Sequence, residues 1–330
     1  MCISLEAMKI NVLSLMLVLI LLGCASKDET ITLRFSHLVN EQHPWYRATE
    51  YFEEILEERS QGRIQVEVFH SEQLAKEIEA IRLIQADVID MCTTGSMLSN
   101  WIDIVALCDM PFLFSDSTEM RQVIEGPIGK QMEEEMISKT GMRPIAILAR
   151  GPRHLTSNRP IRHPDDLNGF IVRVPNLPTF ITAWEALGAK PTPMAFSEVF
   201  TSLQQGTIEG QENPFALIRA AGFSEVQKFV NLTAHVQSWN YIVIGEKQYQ
   251  RFPLDLKVIF DEAAKDMERF HHQIFLENER KVQVELQELG MELIEVDNQA
   301  FKEKASVAIY QSLTPKMQEI YKQIKAANEL

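Results

Sequence analysis

Positive charge is in short supply: 32 lysines and arginines face 46 aspartates and glutamates, a formal net charge of −14. Such a chain lacks the basic face that nucleic-acid phosphates demand, so no nucleic-acid partner is expected. An anionic small molecule is not excluded, because a local basic pocket can oppose the global field. Cysteine is scarcer, with four in 330 residues. Cys2 and Cys24 fall in the leader, and the remaining Cys92 and Cys108 are too few for a disulfide framework. An oxidising compartment would permit a Cys92–Cys108 bridge, but both read as small core residues. Beyond Cys24 no apolar run is long enough to cross a membrane. Also missing are the G-x-S-x-G elbow, the H-E-x-x-H zinc pair, the Walker loop and the dinucleotide glycine fingerprint. An enzyme is therefore not expected, nor is a cofactor or metal. Asp165-Asp166 follows Pro164 and reads as a helix start, not as an acid/base pair.

What is present begins with an address. Lys9 precedes Val12–Leu22, an apolar run broken only by Ser14. It is short for a permanent span and has the length of a signal-peptide core. It ends in Leu21-Leu22-Gly23-Cys24, which resembles a bacterial lipobox, with residues 1–23 removed and Cys24 lipidated as the first mature residue. The alternative is a plain signal peptide or short anchor helix with an incidental cysteine. Glu6 is out of place ahead of such a core, whereas Met8-Lys9 leads straight into it, so Met8 reads as the start. The expected location is the periplasm or extracytoplasmic face, with a lipid tether to the membrane.

The mature part is long enough for two compact lobes, and a hydrophobic content of 45% with 24% charged residues is that of a globular protein. Strand-like segments fall at 31–36, 64–69, 88–93, 145–150, 170–174, 229–236 and 241–244. Helical patterns lie between them, as in Leu74, Ile78, Ile81 and Ile84. This alternation argues α/β layers, and residues 254–290 and 299–327 read as long C-terminal helices. Ile84–Asp90 echoes Leu203–Glu209, each a helix end, a turn and a strand. Gly206 suits a left-handed cap and Asp87 tolerates one. One such unit per lobe would leave a cleft between two similar halves.

The informative stretch runs from Gly151-Pro152-Arg153-His154-Leu155-Thr156-Ser157-Asn158 through Arg173-Val174-Pro175-Asn176 and Leu187–Phe200 to Gly210-Gln211-Glu212-Asn213-Pro214. Ser71-Glu72-Gln73-Leu74, Ile89-Asp90-Met91 and Pro111-Phe112-Leu113-Phe114 add to it. Together these closely resemble the DctP-type solute-binding proteins of TRAP (tripartite ATP-independent periplasmic) transporters, over nearly the whole mature chain. The resemblance implies a two-lobe, periplasmic-binding-protein-like α/β fold. Its first lobe would hold residues 24–150 plus about 239–278, its second 151–238 plus about 279–330. It implies capture of a small organic acid in the cleft, hinge closure, and docking on membrane subunits that carry out transport. A sensory lipoprotein using the same fold is the alternative role.

Arg173 sits mid-strand, where a guanidinium is costly to desolvate unless an anion meets it. Its planar fork matches a carboxylate. By spacing alone that anion could be an internal Asp or Glu; the family implies that it is the ligand. The resemblance gives Arg153 a second ligand-facing role, with Arg150 and Arg159 as solvated neighbours. It gives Asn213 a ligand contact with Glu212 beside it, sets Phe196 against the ligand, and makes His235 a pocket histidine. Without it, Phe196 is plain core, His235 structural and Asn213-Pro214 a turn. In the first lobe the resemblance puts Glu77 and His37 at contact positions, and Trp239 could stack on a sugar face or be core. Gly95 departs from the sialic-acid-binding members, which carry a glutamate near that position. Glu77 would accept from hydroxyls and, unless protonated or paired, repel a second carboxylate. The expected ligand is therefore a sugar acid such as a uronate or aldonate, ahead of a C4-dicarboxylate or sialic acid.

Membrane-extracted protein is expected to show Cys24 as its lipid-modified N-terminus by mass spectrometry. An unmodified chain beginning elsewhere would refute the lipobox reading.

Overall fold

The computed structural model describes residues 30–327, so the leader and Cys24 lie outside the described residues. Among the described residues nine strands form one mixed sheet: β1 (Ile31–Ser36), β2 (Ile64–Phe69), β3 (Met91–Thr94), β4 (Met142–Ser157), β5 (Ile171–Val174), β6 (Lys190–Pro193), β7 (Gly210–Asn213), β8 (Phe229–Gly245) and β9 (Glu292–Ile294). Their order is β2-β1-β3-β8-β4-β7-β5-β6, with β9 paired to β8. The parallel pairs β1·β2 and β5·β6 need crossovers, supplied by the helices Pro44–Arg59 and Pro178–Leu187. β1 alternates as a half-buried strand should, with Leu33 and Phe35 fully buried.

β1, β2 and β3 form one end of the sheet, within the expected first lobe, and β5, β6 and β7 the other, within the expected second. β4 and β8 serve both, pairing antiparallel with each other for most of their length. The expected lobe divisions at 150/151 and 238/239 fall within these unbroken strands, and the division at 278/279 falls within the helix Leu254–Glu288. The β4·β8 register shifts between Arg150 and Arg153 and again between Arg153 and Leu155. Pro152 has no N–H to donate there, so a bulge is the natural outcome. The C-terminal tail touches elements at both ends of the sheet. Asn298–Ser312 packs on Pro178–Leu187, whereas Lys325 of the last helix donates to the carbonyls of Phe112 and Leu113.

The two helix ends that echo each other in sequence are alike in structure. Asp87 (φ 57°) and Gly206 (φ 70°) are both left-handed. Each N–H returns to the carbonyl three residues back and the next to the one five back, Asp87 to Ile84 and Val88 to Leu83, Gly206 to Leu203 and Thr207 to Ser202. This is the Schellman arrangement. Cys92 and Cys108 are buried free thiols, and burial pushes both up.

β7 has no Cβ at its first residue. One added at Gly210 would lie 2.3 Å from the Thr156 carbonyl oxygen and 2.8 Å from the Phe170 ring. Gly210→Ala is expected to lower stability by about 1–3 kcal/mol through overpacking, read as a lower urea midpoint. An unchanged midpoint would contradict this close approach.

Candidate ligand-binding site

The two lobes enclose a cavity of about 360 Å³, within the usual range for small-molecule sites. The first lobe contributes Glu72, Lys76, Glu77, Ser96, Asp109, Arg150 and Asn240; the second contributes Arg153, Arg173, Asn176, Met194, Phe196 and Asn213. Across its mouth Lys76 pairs with Glu198, both about half exposed, and Asn40 Nδ2 donates to the Ala220 carbonyl at 2.8 Å.

Arg150, Arg153 and Arg173 are brought to this one cavity by different means. On a regular strand, residues three apart face opposite sides. The register shift between Arg150 and Arg153 changes that parity, and both line the cavity. Arg150 is therefore not the solvated neighbour expected. Its side chain is 7% exposed, and its Nη1 meets both Asp109 carboxylate oxygens, at 3.0 and 3.1 Å.

Arg153 is committed inside the protein. Its Nε and Nη2 donate to the two Glu212 carboxylate oxygens at 2.5 and 2.6 Å, and Nη2 also donates to the Glu212 carbonyl at 2.8 Å. His235 Nε2 lies 3.0 Å from the same carboxylate. Burial alone would raise the Glu212 carboxyl, but the charge and hydrogen bonds of Arg153, helped by His235, bring it down to about 2.

Arg173 differs. It is 4% exposed, and its Nε and Nη2 both donate to one carbonyl, that of Met194, at 3.1 and 2.7 Å. Among the described residues no carboxylate pairs with it. Burial draws its guanidinium down to about 10, which leaves it charged at neutral pH. Opposite, burial pushes Glu77 up to about 7 against the hydrogen bond from Thr94 Oγ1 at 2.9 Å. Asn213 Nδ2 donates to Gln211 Oε1 at 2.6 Å, and Phe196 packs edge-on to Phe223.

Of the expected residues, Arg173, Arg153, Asn213, Phe196 and Glu77 line the cavity. Glu212, His235, His37 and Trp239 are not part of its wall. Glu212 alternates with Asn213 along β7 and turns to Arg153, and His235 supports it from β8. His37 is fully buried beside Phe35, with Nδ1 accepting from the Val39 N–H at 3.3 Å. Burial draws its imidazole down to about 3, so it is neutral. Trp239 is fully buried against Phe114 and Tyr241, a core residue that offers no face to a sugar. Sequence reasoning missed Asp109, Ser96 and Asn240. A lone aspartate in Val105-Ala106-Leu107-Cys108-Asp109-Met110 was a signal, because a buried carboxylate needs a cationic partner.

The sequence profile described as Bacterial extracellular solute-binding protein, family 7 (DctP) matches residues 35–324. The chain belongs to this family. A solute-binding protein of Roseobacter denitrificans is 44% identical over 300 residues, 91% of this chain and 92% of the relative. The crystal structure of that TRAP periplasmic solute-binding protein with bound L-galactonate superposes with a TM-score of 0.87, covering 90% of this chain and 99% of that one. A TRAP protein of Xanthobacter autotrophicus with bound β-D-galacturonate is 27% identical, with a TM-score of 0.84 and coverage of 89% and 99%. The 2,3-diketo-L-gulonate-binding periplasmic protein of Escherichia coli is 30% identical over 275 residues, 82% of this chain and 84% of the relative. The chain is thus a TRAP solute-binding protein, with the extracytoplasmic family's two-lobe fold. No helix among the described residues is long and apolar enough to cross a membrane.

Removing the Glu212 charge strands Arg153 in a buried site. Glu212→Gln is expected to cost about 3–5 kcal/mol, measured by urea unfolding at neutral pH. The depressed Glu212 value means that the pair stabilises fully above the usual carboxylate value of about 4.3. That stability is lost as pH falls from there towards about 2. The parent should therefore lose more stability than Glu212→Gln between pH 5 and pH 3, and parallel losses would contradict the pairing.

Proposed function

We propose that this TRAP protein captures a monocarboxylate sugar acid, an aldonate or uronate, with the ligand carboxylate on Arg173 and Asn213 beside it. The single observation that carries the reading is that Arg173 is a buried guanidinium on the cavity wall without a carboxylate of its own among the described residues. Arg150 and Arg153 already have theirs. A ligand carboxylate supplies the missing counter-charge and accepts from the planar fork. The acidic side chains Glu72, Glu77 and Asp109 on the opposite wall accept from hydroxyls. Asp109 is already matched by Arg150 and Glu77 is pushed up to about 7, and the wall supplies no cation free of an acidic partner to meet a second carboxylate among the described residues, which disfavours C4-dicarboxylates. The L-galactonate, galacturonate and diketogulonate named for the relatives are all carboxylates with polar tails. The loaded, closed protein would dock on the membrane subunits of its transporter, held near them by lipid on Cys24. Neither role asks this chain to turn over its ligand.

Calorimetry with L-galactonate, galacturonate, glucuronate, succinate and sialic acid tests the reading. A sugar acid should bind most tightly. Arg173→Ala should lose roughly two to four decades of affinity, because breaking a buried charged pair costs about 3–5 kcal/mol. Tightest binding of succinate or sialic acid would overturn the polyol reading. Unchanged affinity in a folded Arg173→Ala would overturn the carboxylate assignment.

A further inference from the structure

The first-lobe wall carries a donor and an acceptor side by side, placed there by a residue with no side chain. Asn240 stands on β8 opposite Leu148 of β4 and is 3% exposed. Its Oδ1 lies 3.4 Å from Arg150 Nη1. A guanidinium only donates, so the carboxamide must turn its oxygen to Arg150 and its Nδ2 away. Among the described residues nothing accepts from that Nδ2, and Asn240 lines the cavity. Next to it, Asp109 takes Arg150 on both oxygens and Ser96 Oγ on Oδ2 at 2.7 Å. A carboxylate has about four acceptor positions, so capacity remains. A hydroxyl group both donates and accepts, and this pair can serve it in both directions.

Gly95 makes the arrangement possible. A Cβ there would lie 2.5 Å from Asn240 Oδ1 and 3.3 Å from the Trp239 carbonyl oxygen. The carbonyl is backbone, so the Asn240 side chain is what would have to move. The Gly95 φ of −151° is not left-handed, so what the glycine supplies here is space.

We propose that Gly95 and Asn240 are specificity-determining residues: the bare Gly95 admits the Asn240 carboxamide, whose Nδ2, together with the Asp109 carboxylate, reads hydroxyls at the end of the sugar acid remote from Arg173. The proposal rests on the carboxylate contact at Arg173 and assigns the other end of the ligand. Asn240 and Asp109 select for a polyhydroxy tail long enough to reach the first lobe, and Gly95 is the position at which that selectivity is set.

The test is calorimetry with L-galactonate and with D-erythronate, a four-carbon aldonate that keeps the carboxylate end and lacks the far hydroxyls. Gly95→Ala and Asn240→Ala are compared with the parent and with Arg173→Ala, and the melting temperature of each ligand-free variant checks folding. Both first-lobe variants should lose about tenfold in L-galactonate affinity, the size of one neutral hydrogen bond, and hold D-erythronate within about twofold. Arg173→Ala should weaken both acids. If Gly95→Ala does not fold, Asn240→Ala carries the same contrast. Unchanged L-galactonate affinity in the first-lobe variants, or an equal loss for both acids, overturns this proposal and leaves Arg173 standing. A parent that binds neither acid overturns both readings.

Discussion

A guanidinium withdrawn from water must find a negative partner, and this constraint organises the cleft. Arg150, Arg153 and Arg173 reach one cavity from two lobes. Each loses hydration, and each resolves the loss differently. Asp109 neutralises the first and Glu212 the second, with His235 steadying Glu212 from behind. Among the described residues the third has only the Met194 carbonyl, which accepts hydrogen bonds and leaves the charge unmatched. The internal pairs fix the wall in place; the unmatched charge gives it affinity.

The same wall depends on how the lobes are joined. Two antiparallel strands, each shared by both lobes, carry the chain between them, and their register breaks where Gly151-Pro152 interrupts β4. That break is a geometric necessity for the site, because it turns Arg150 and Arg153 to one cavity. It also lies where the sheet passes from the strands of one end to those of the other.

The family, the two-lobe α/β fold and the first two strands were legible in the sequence because they rest on period-two burial, turn chemistry and a long set of matched motifs. The matched caps at Asp87 and Gly206 were legible for the same reason. β7 was not read as a strand: Gly-Gln-Glu-Asn has no apolar pattern, yet all of its residues are buried, with Gln211 and Glu212 satisfied by Thr156 and Arg153 of distant β4 and Asn213 by Gln211. β8 was read as two strands because Gln237-Ser238-Trp239-Asn240 breaks the apolar run, and yet Ser238, Trp239 and Asn240 pair with Arg150, Ala149 and Leu148. In the site, five cavity residues were reached through the motifs. His37 and Trp239 were misjudged because type alone does not tell a core imidazole or indole from a ligand-facing one. Arg150 was set aside because the bulge that redirects it depends on pairing between strands far apart in sequence.

The contacts across the mouth of the cleft are slight. Lys76 and Glu198 form an ion pair between half-exposed side chains, of the kind that water and salt weaken to little net value. The Asn40–Ala220 hydrogen bond is neutral. A latch of this strength adds little to the stability of a closed form. The bias towards closure must then come from whatever binds better in the closed form than in the open one. A molecule that satisfies only one wall has no such preference, however well it fits there. The closed state therefore carries information: it reports that both ends of the ligand have been met.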